Sequence, residues 1–249
     1  DLDVLYVSID GVRDVHNEIR GNPDAWDNAV KGMKTIYDYK KSEKKKNPHV
    51  RLNCTISGYN CDSLFEIPLS WYIASPDSLE EPEEVSQFYT HITFCHLNMI
   101  TDEMIRAHNE GGFKNMVEAT QSSVSDLKAT TVDIDALWEE IENIKASYSN
   151  KFYEFVPDIK SKEELIVYYM HPERFLEGHN QCKVPWMAAQ ILSDGTLGIA
   201  TRCFNVNLGN VNETPLKELW NGDKMREFRK NLKNVGAYPA CSRCCGVFG

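Results

Sequence analysis

The residues with the most evident chemistry lie in CSRCCGVFG (241–249), where Cys241, Cys244 and Cys245 fall within five positions. Five further cysteines, Cys54, Cys61, Cys95, Cys182 and Cys203, are spread along the chain. Secreted disulfide scaffolds are usually shorter and denser in cysteine, so the pattern favours metal ligation in a reducing, cytoplasmic compartment. Cys241 and Cys244 are spaced Cys-x2-Cys, which lets two side chains turn to the same side. Cys182 and Cys203 stand singly, 21 positions apart. Tetrahedral zinc usually takes four cysteines as two close pairs. A [4Fe–4S] cluster takes one cysteine per iron and suits scattered ligands better. The expected ligand set is Cys182, Cys203, Cys241 and Cys244. Cys245 remains open as an alternative fourth ligand, and a structural zinc site as an alternative use.

Elements must bring these cysteines together. MAAQILSDGTLGIATRC (187–203) is two short apolar runs around Asp194-Gly195, a hairpin turn signal. It puts Cys182 before the first strand and Cys203 at the end of the second. Thr214 and Pro215 then open a helix with Leu216, Leu219 and Trp220 as its stripe. A second helical piece over 223–232 carries Met225, Phe228 and Leu232 inward and returns the chain to Cys241.

The segment before residue 178 reads differently. DVLYVSID (3–10) and HVRLNCTIS (49–57) are strands, with a helix over about 23–42 between them. Strand–helix–strand at this length is a βαβ unit with parallel strands. Further strands are expected at 88–98 and 151–159, and helices at 62–73, 101–110, 133–147 and 161–170. Residues 75–86 are acidic and proline-bearing, and 111–132 have little periodicity, as a surface loop or lid would. The fold class is therefore α/β, with domains at 1–177 and 178–249.

Composition excludes some functions. The chain has 249 residues and a net charge of −10, which argues against nucleic acid or anionic lipid as the main partner. No run approaches the length of a membrane span. The lysine run KKSEKKK (40–46) suits a solvated connection after a helix. His91 and His96 lie five apart on one strand and point to opposite faces. Cys54, Cys61 and Cys95 read as small buried hydrophobes. The opening DLDVLYVSIDG has no Met and already reads as a strand, so an upstream segment is expected.

Cys182, Pro185-Trp186, the Gly198 to Cys203 spacing, LGN (208–210), LW (219–220), FR (228–229) and PACSRC (239–244) together resemble the SPASM or twitch extension of radical SAM enzymes. VSIDG (7–11), HNEIRG (16–21) and LNCTISGYN (52–60) are similar to the fourth and fifth strands of their partial (β/α) barrel. The resemblance implies the C-terminal part of such a barrel, followed by a hairpin-and-helix extension with one auxiliary [4Fe–4S] cluster. It implies S-adenosyl-L-methionine in the full-length protein. Ser8 and Asp10 would lie at the strand end facing it, and Arg20 near its methionyl carboxylate. It implies a peptide or small-molecule substrate and an external electron donor. The C-x3-C-x2-C motif of the catalytic cluster is missing from these 249 residues, and no Gly-Gly-Glu motif is present. A non-catalytic cluster module or electron relay is the alternative.

Overall fold

The structure is a computed structural model that describes residues 2–68, 89–120, 126–199, 204 and 206–244. The chain divides into two compact units. One contains residues 1–97 and 126–162, the other 98–125 and 163–249. The unit carrying the C-terminal cysteines thus takes in 98–125 and 163–177, which lie ahead of the position where the sequence pattern changes.

The first unit is built on four parallel strands in the order β1 (Val4–Ser8), β2 (His49–Ile56), β3 (His91–His96) and β4 (Tyr153–Val156). Spatial order follows chain order, without the reversal that marks a doubly wound sheet. The registers are continuous, with Val4 opposite His49, Arg51 opposite His91 and Ile92 opposite Tyr153. The inner strands are apolar, as strands covered on both faces must be. Leu52, Ile56, Ile92 and Phe94 are buried, and Phe94 stacks on Phe155 at 5.1 Å.

Two helices join β1 to β2: α1 (Arg13–Arg20) and α2 (Ala25–Ser42). The sequence pattern had suggested one helix from about residue 23. α1 is short and buries only His16, so it carries almost no apolar stripe to be seen. α2 turns Trp26, Met33 and Tyr37 inward. The expected helix at 62–73 is described only as far as residue 68, and the loop at 75–86 lies outside the described residues. A short helix, α4 (Leu127–Thr130), packs in this unit against the Gly58 turn. Gly58 N donates to Ala129 O at 2.9 Å, and a Cβ there would meet two carbonyl oxygens of residues 128 and 131 at 2.1 Å. α5 (Ile134–Ser147) is capped by Asp133 and buries Leu137, Ile141 and Ile144.

The second unit begins with α3 (Asp102–Glu110), capped by Thr101. It continues with α6 (Lys162–Met170), α7 (Val184–Met187), the hairpin β5 (Ala189–Ile191) and β6 (Leu197–Ile199), α8 (Leu216–Trp220) and α9 (Asp223–Val235). The hairpin has the expected antiparallel pairing, Gln190 opposite Gly198, and turns at Gly195 with φ +86°. Residues expected to form a loop at 111–132 instead include a 3-10 turn at Phe113–Asn115 and a bridge from Ala119 to Phe204. Their apolar side chains feed the second unit's core, which joins Met104, Val117, Leu197, Ile199, Phe204, Met225, Phe228 and Leu232.

Candidate metal centre

Cys182, Cys241 and Cys244 all belong to the core of the second unit, at 8, 4 and 5 % exposure. Cys203 and Cys245 lie outside the described residues. Among the described residues, no three His, Cys, Asp or Glu side chains form a group set to hold a single metal ion.

Three devices hold the cysteine-bearing segments. The first is a backbone tie: Cys182 N donates to Gly236 O at 3.3 Å. Gly236 ends α9 with φ +80°, and a Cβ there would lie 2.6 Å from Asn180 O. Only glycine lets the end of α9 approach the Cys182 segment this closely. The second is the 3-10 turn Pro239–Cys241, extended by Cys244 N donating to Cys241 O at 2.9 Å. The third is Arg243. Its five N–H donors reach Tyr168 O, Arg174 O, Ser242 O, Val167 O and His171 O at 2.5 to 2.9 Å. The guanidinium also lies over the Tyr168 ring at 4.6 Å. It satisfies carbonyls at the end of α6 and pins the loop between the two cysteines to that helix.

The hairpin and helices are tied by the residues the sequence pattern had singled out. Arg229 Nε donates to Pro185 O at 2.8 Å and Nη1 to Trp220 O at 2.9 Å, with the guanidinium 4.4 Å from the Trp220 ring. One side chain thereby joins the FR, PW and LW motifs. Leu197 N donates to Gly209 O, and Leu208 N to Leu197 O, so LGN runs beside the hairpin. Gly209, at φ +127°, leaves room for Leu219, whose Cδ2 would be 2.5 Å from a Cβ there.

Residues 182–245 match the SPASM family model, an iron-sulfur cluster-binding domain. No curated protein matches the chain. The SPASM segment starts at Cys182 and contains Gly236, the Pro239–Cys241 turn and Arg243, whereas Asn180 and the α6-end carbonyls that Arg243 reaches precede it. In kind its described donors suit an iron-sulfur group: Cys182, Cys241 and Cys244 are soft thiols buried in one apolar core. Among the described residues of this unit, three buried polar atoms have no hydrogen-bond partner: His108 Nδ1, Arg229 Nη2 and the Tyr238 hydroxyl. Cys182 also borders an open pocket of about 440 Å³ with Lys183, Trp186, Leu232 and Lys233.

Of the other expected site residues, Ser8 and Asp10 lie at and just past the C-terminal end of β1 and Arg20 ends α1, all in the first unit. Ser8 is exposed there. Asp10 is buried and fully engaged. Its carboxylate accepts from Thr55 N at 3.0 Å and pairs with Arg20 Nη2 at 2.6 Å. Its N–H donates to His16 Nδ1 at 3.1 Å, and its carbonyl accepts from Asn60 Nδ2 at 2.6 Å. Asn60 also donates to Thr55 O at 2.9 Å and approaches Cys54 Sγ at 3.6 Å. Burial, then the Asp10 charge, pushes the Cys54 thiol well above its ordinary range, so it is not a ready nucleophile. His16, Thr55 and Asn60 complete a network that sequence patterns did not reveal. Cys95 lies opposite Thr55 in the β2–β3 register, and Cys61 follows the Gly58 turn, its N–H donating to Ser57 O at 3.0 Å.

Proposed function

We propose that the SPASM segment holds one auxiliary [4Fe–4S] cluster through Cys182, Cys203, Cys241 and Cys244, as part of a radical SAM-type enzyme. The observation that carries the reading is the family match over 182–245 onto a unit whose described cysteines share one buried core. Bound there, such a cluster supplies one-electron transfer. The chain's own residues ligate it, exclude water and fix the loop through Arg243. The pocket beside Cys182 is where an external electron donor would come closest to a ligand.

The barrel part of the proposal is supported by the sequential parallel strand order and by β1 having one partner, β2, among the described residues. Further strands could pair on its other edge. The carboxylate of S-adenosyl-L-methionine would have to share Arg20 with Asp10. The proposed substrate is a peptide or a small molecule. Single Cys→Ser exchanges test the ligand set. Each of Cys182, Cys203, Cys241 and Cys244 should lower bound iron, while Cys54, Cys61 and Cys95 should not. Iron retention in all four variants of the first group would refute it.

A further inference from the structure

We propose that the outer edge of β5 is a docking surface for an extended, acidic segment of another polypeptide, which adds to the hairpin as a further strand. The inference goes beyond the reading above and does not depend on what the cysteines ligate.

The hairpin is closed on one side and open on the other. Leu192 N donates to Thr196 O at 2.9 Å, and Gln190 lies opposite Gly198. Hydrogen-bonded pairs alternate along an antiparallel ladder, so Gln190 faces β6, and Ala189 and Ile191 turn their N–H and C=O groups outward. Leu197 fixes the phase. It lies opposite Ile191 but turns away from β5, donating to Gly209 O and accepting from Leu208 N. The LGN segment thus covers the far edge of β6. Among the described residues nothing pairs with the outer edge of β5. Such an edge of backbone donors and acceptors is a template for strand addition.

The side chains around the edge say what kind of strand it takes. Residues 186–194 are exposed without a break, and Trp186, Met187, Ile191 and Leu192 stand among them. Exposed apolar residues gathered beside charges mark an interaction site. The charge here has one sign. The chain carries −10 overall, yet no Asp or Glu occurs from 178 to 193. Lys183 and Lys233 line the pocket with Trp186, and neither has a carboxylate at ion-pair distance among the described residues. Ala189 follows Trp186 by three residues, at most about 11 Å along the chain. An extended eight-residue segment, about 27 Å long, therefore spans edge and pocket together. Alternating apolar and acidic side chains would serve both, in competition with an electron donor at the pocket.

The test uses the whole chain, purified anaerobically, and dye-labelled eight-residue peptides read by fluorescence anisotropy at physiological salt. One peptide alternates valine and glutamate, a second alternates valine and lysine, and a third is the first with its backbone nitrogens methylated. The glutamate peptide should bind at least about tenfold more tightly than the other two, which bring like charge or a blocked backbone. Ala189→Pro removes an outward N–H where the preceding Ala188 is already extended, at φ −137° and ψ 149°. It should weaken binding of the glutamate peptide at least about tenfold. Lys183→Glu combined with Lys233→Glu should turn the preference toward the lysine peptide. If Ala189→Pro fails to fold, the methylated peptide and the charge reversal decide. Equal binding of all three peptides, or none at about 1 mM, overturns the proposal. So does a dimer that Ala189→Pro dissociates, since a second copy would then be the occupant.

Discussion

Arg243 sits between two candidate ligands and is 2 % exposed, which is rare for a charge with no carboxylate at ion-pair distance among the described residues. Desolvation pulls its guanidinium down to about 10, so it stays protonated at neutral pH. Removing it takes a donor from five carbonyls, of which Val167 O and His171 O keep a backbone N–H. Arg243→Met should destabilise the second unit by about 3 kcal/mol or more and lower iron retention, read by thermal melting and metal analysis. Arg243→Lys should not restore either, because an ammonium cannot span the fork of acceptors. The cysteines were legible because their type and spacing carry chemistry on their face. Arg243 and Tyr238 were not, because an arginine or tyrosine beside a turn looks alike whether it faces water or core.

The buried histidines belong to the same scale. Burial holds His96 down to about 3 and lowers His16 and His108 as well. His96 is thus neutral in the native protein and would charge on unfolding, and burial acts in the same direction on His16 and His108. Below their ordinary value of about 6.5 the unfolded chain binds more protons, so stability falls as pH drops from there. The His96 contribution is about 1.4 kcal/mol per pH unit down to its folded value. Denaturant midpoints should fall steadily from pH 7 to pH 4.5, and His96→Gln should flatten that slope. A midpoint independent of pH in this window would contradict the burial argument.

Among elements, the parallel strands and the hairpin could be read from sequence because their apolar runs are bounded by turn residues. α1 could not, because it has little apolar surface to display. The stretch at 111–132 was harder still: its few apolar residues are called into the core by distant partners such as Phe204, which local periodicity does not register. The end of α9 carries a further prediction. Gly236→Ala adds a Cβ against Asn180 O at a positive φ, so it should cost about 1–3 kcal/mol in the second unit. By moving the Cys182 segment it should also lower iron content. Melting and iron analysis of the same preparation check both effects.

For the whole molecule, no helix among the described residues is long and apolar enough to cross a membrane. The sequential parallel sheet was anticipated by the βαβ spacing, whereas closure into a barrel would need strands beyond the four that the described residues form. Chemistry sets the same limit. The 249 residues lack C-x3-C-x2-C, and a site with four thiolate ligands leaves no open iron for S-adenosyl-L-methionine. The chain alone, reconstituted and reduced with dithionite, should therefore form no 5′-deoxyadenosine. Turnover would mean that only three cysteines ligate the cluster.

The central claim is that the C-terminal cysteines hold an iron-sulfur cluster rather than a lone metal ion. Iron, acid-labile sulfide and zinc per chain, measured on anaerobically prepared protein, test it most directly. The account predicts about four irons and about four sulfides, one iron for each cysteine ligand. One zinc with no sulfide would contradict it.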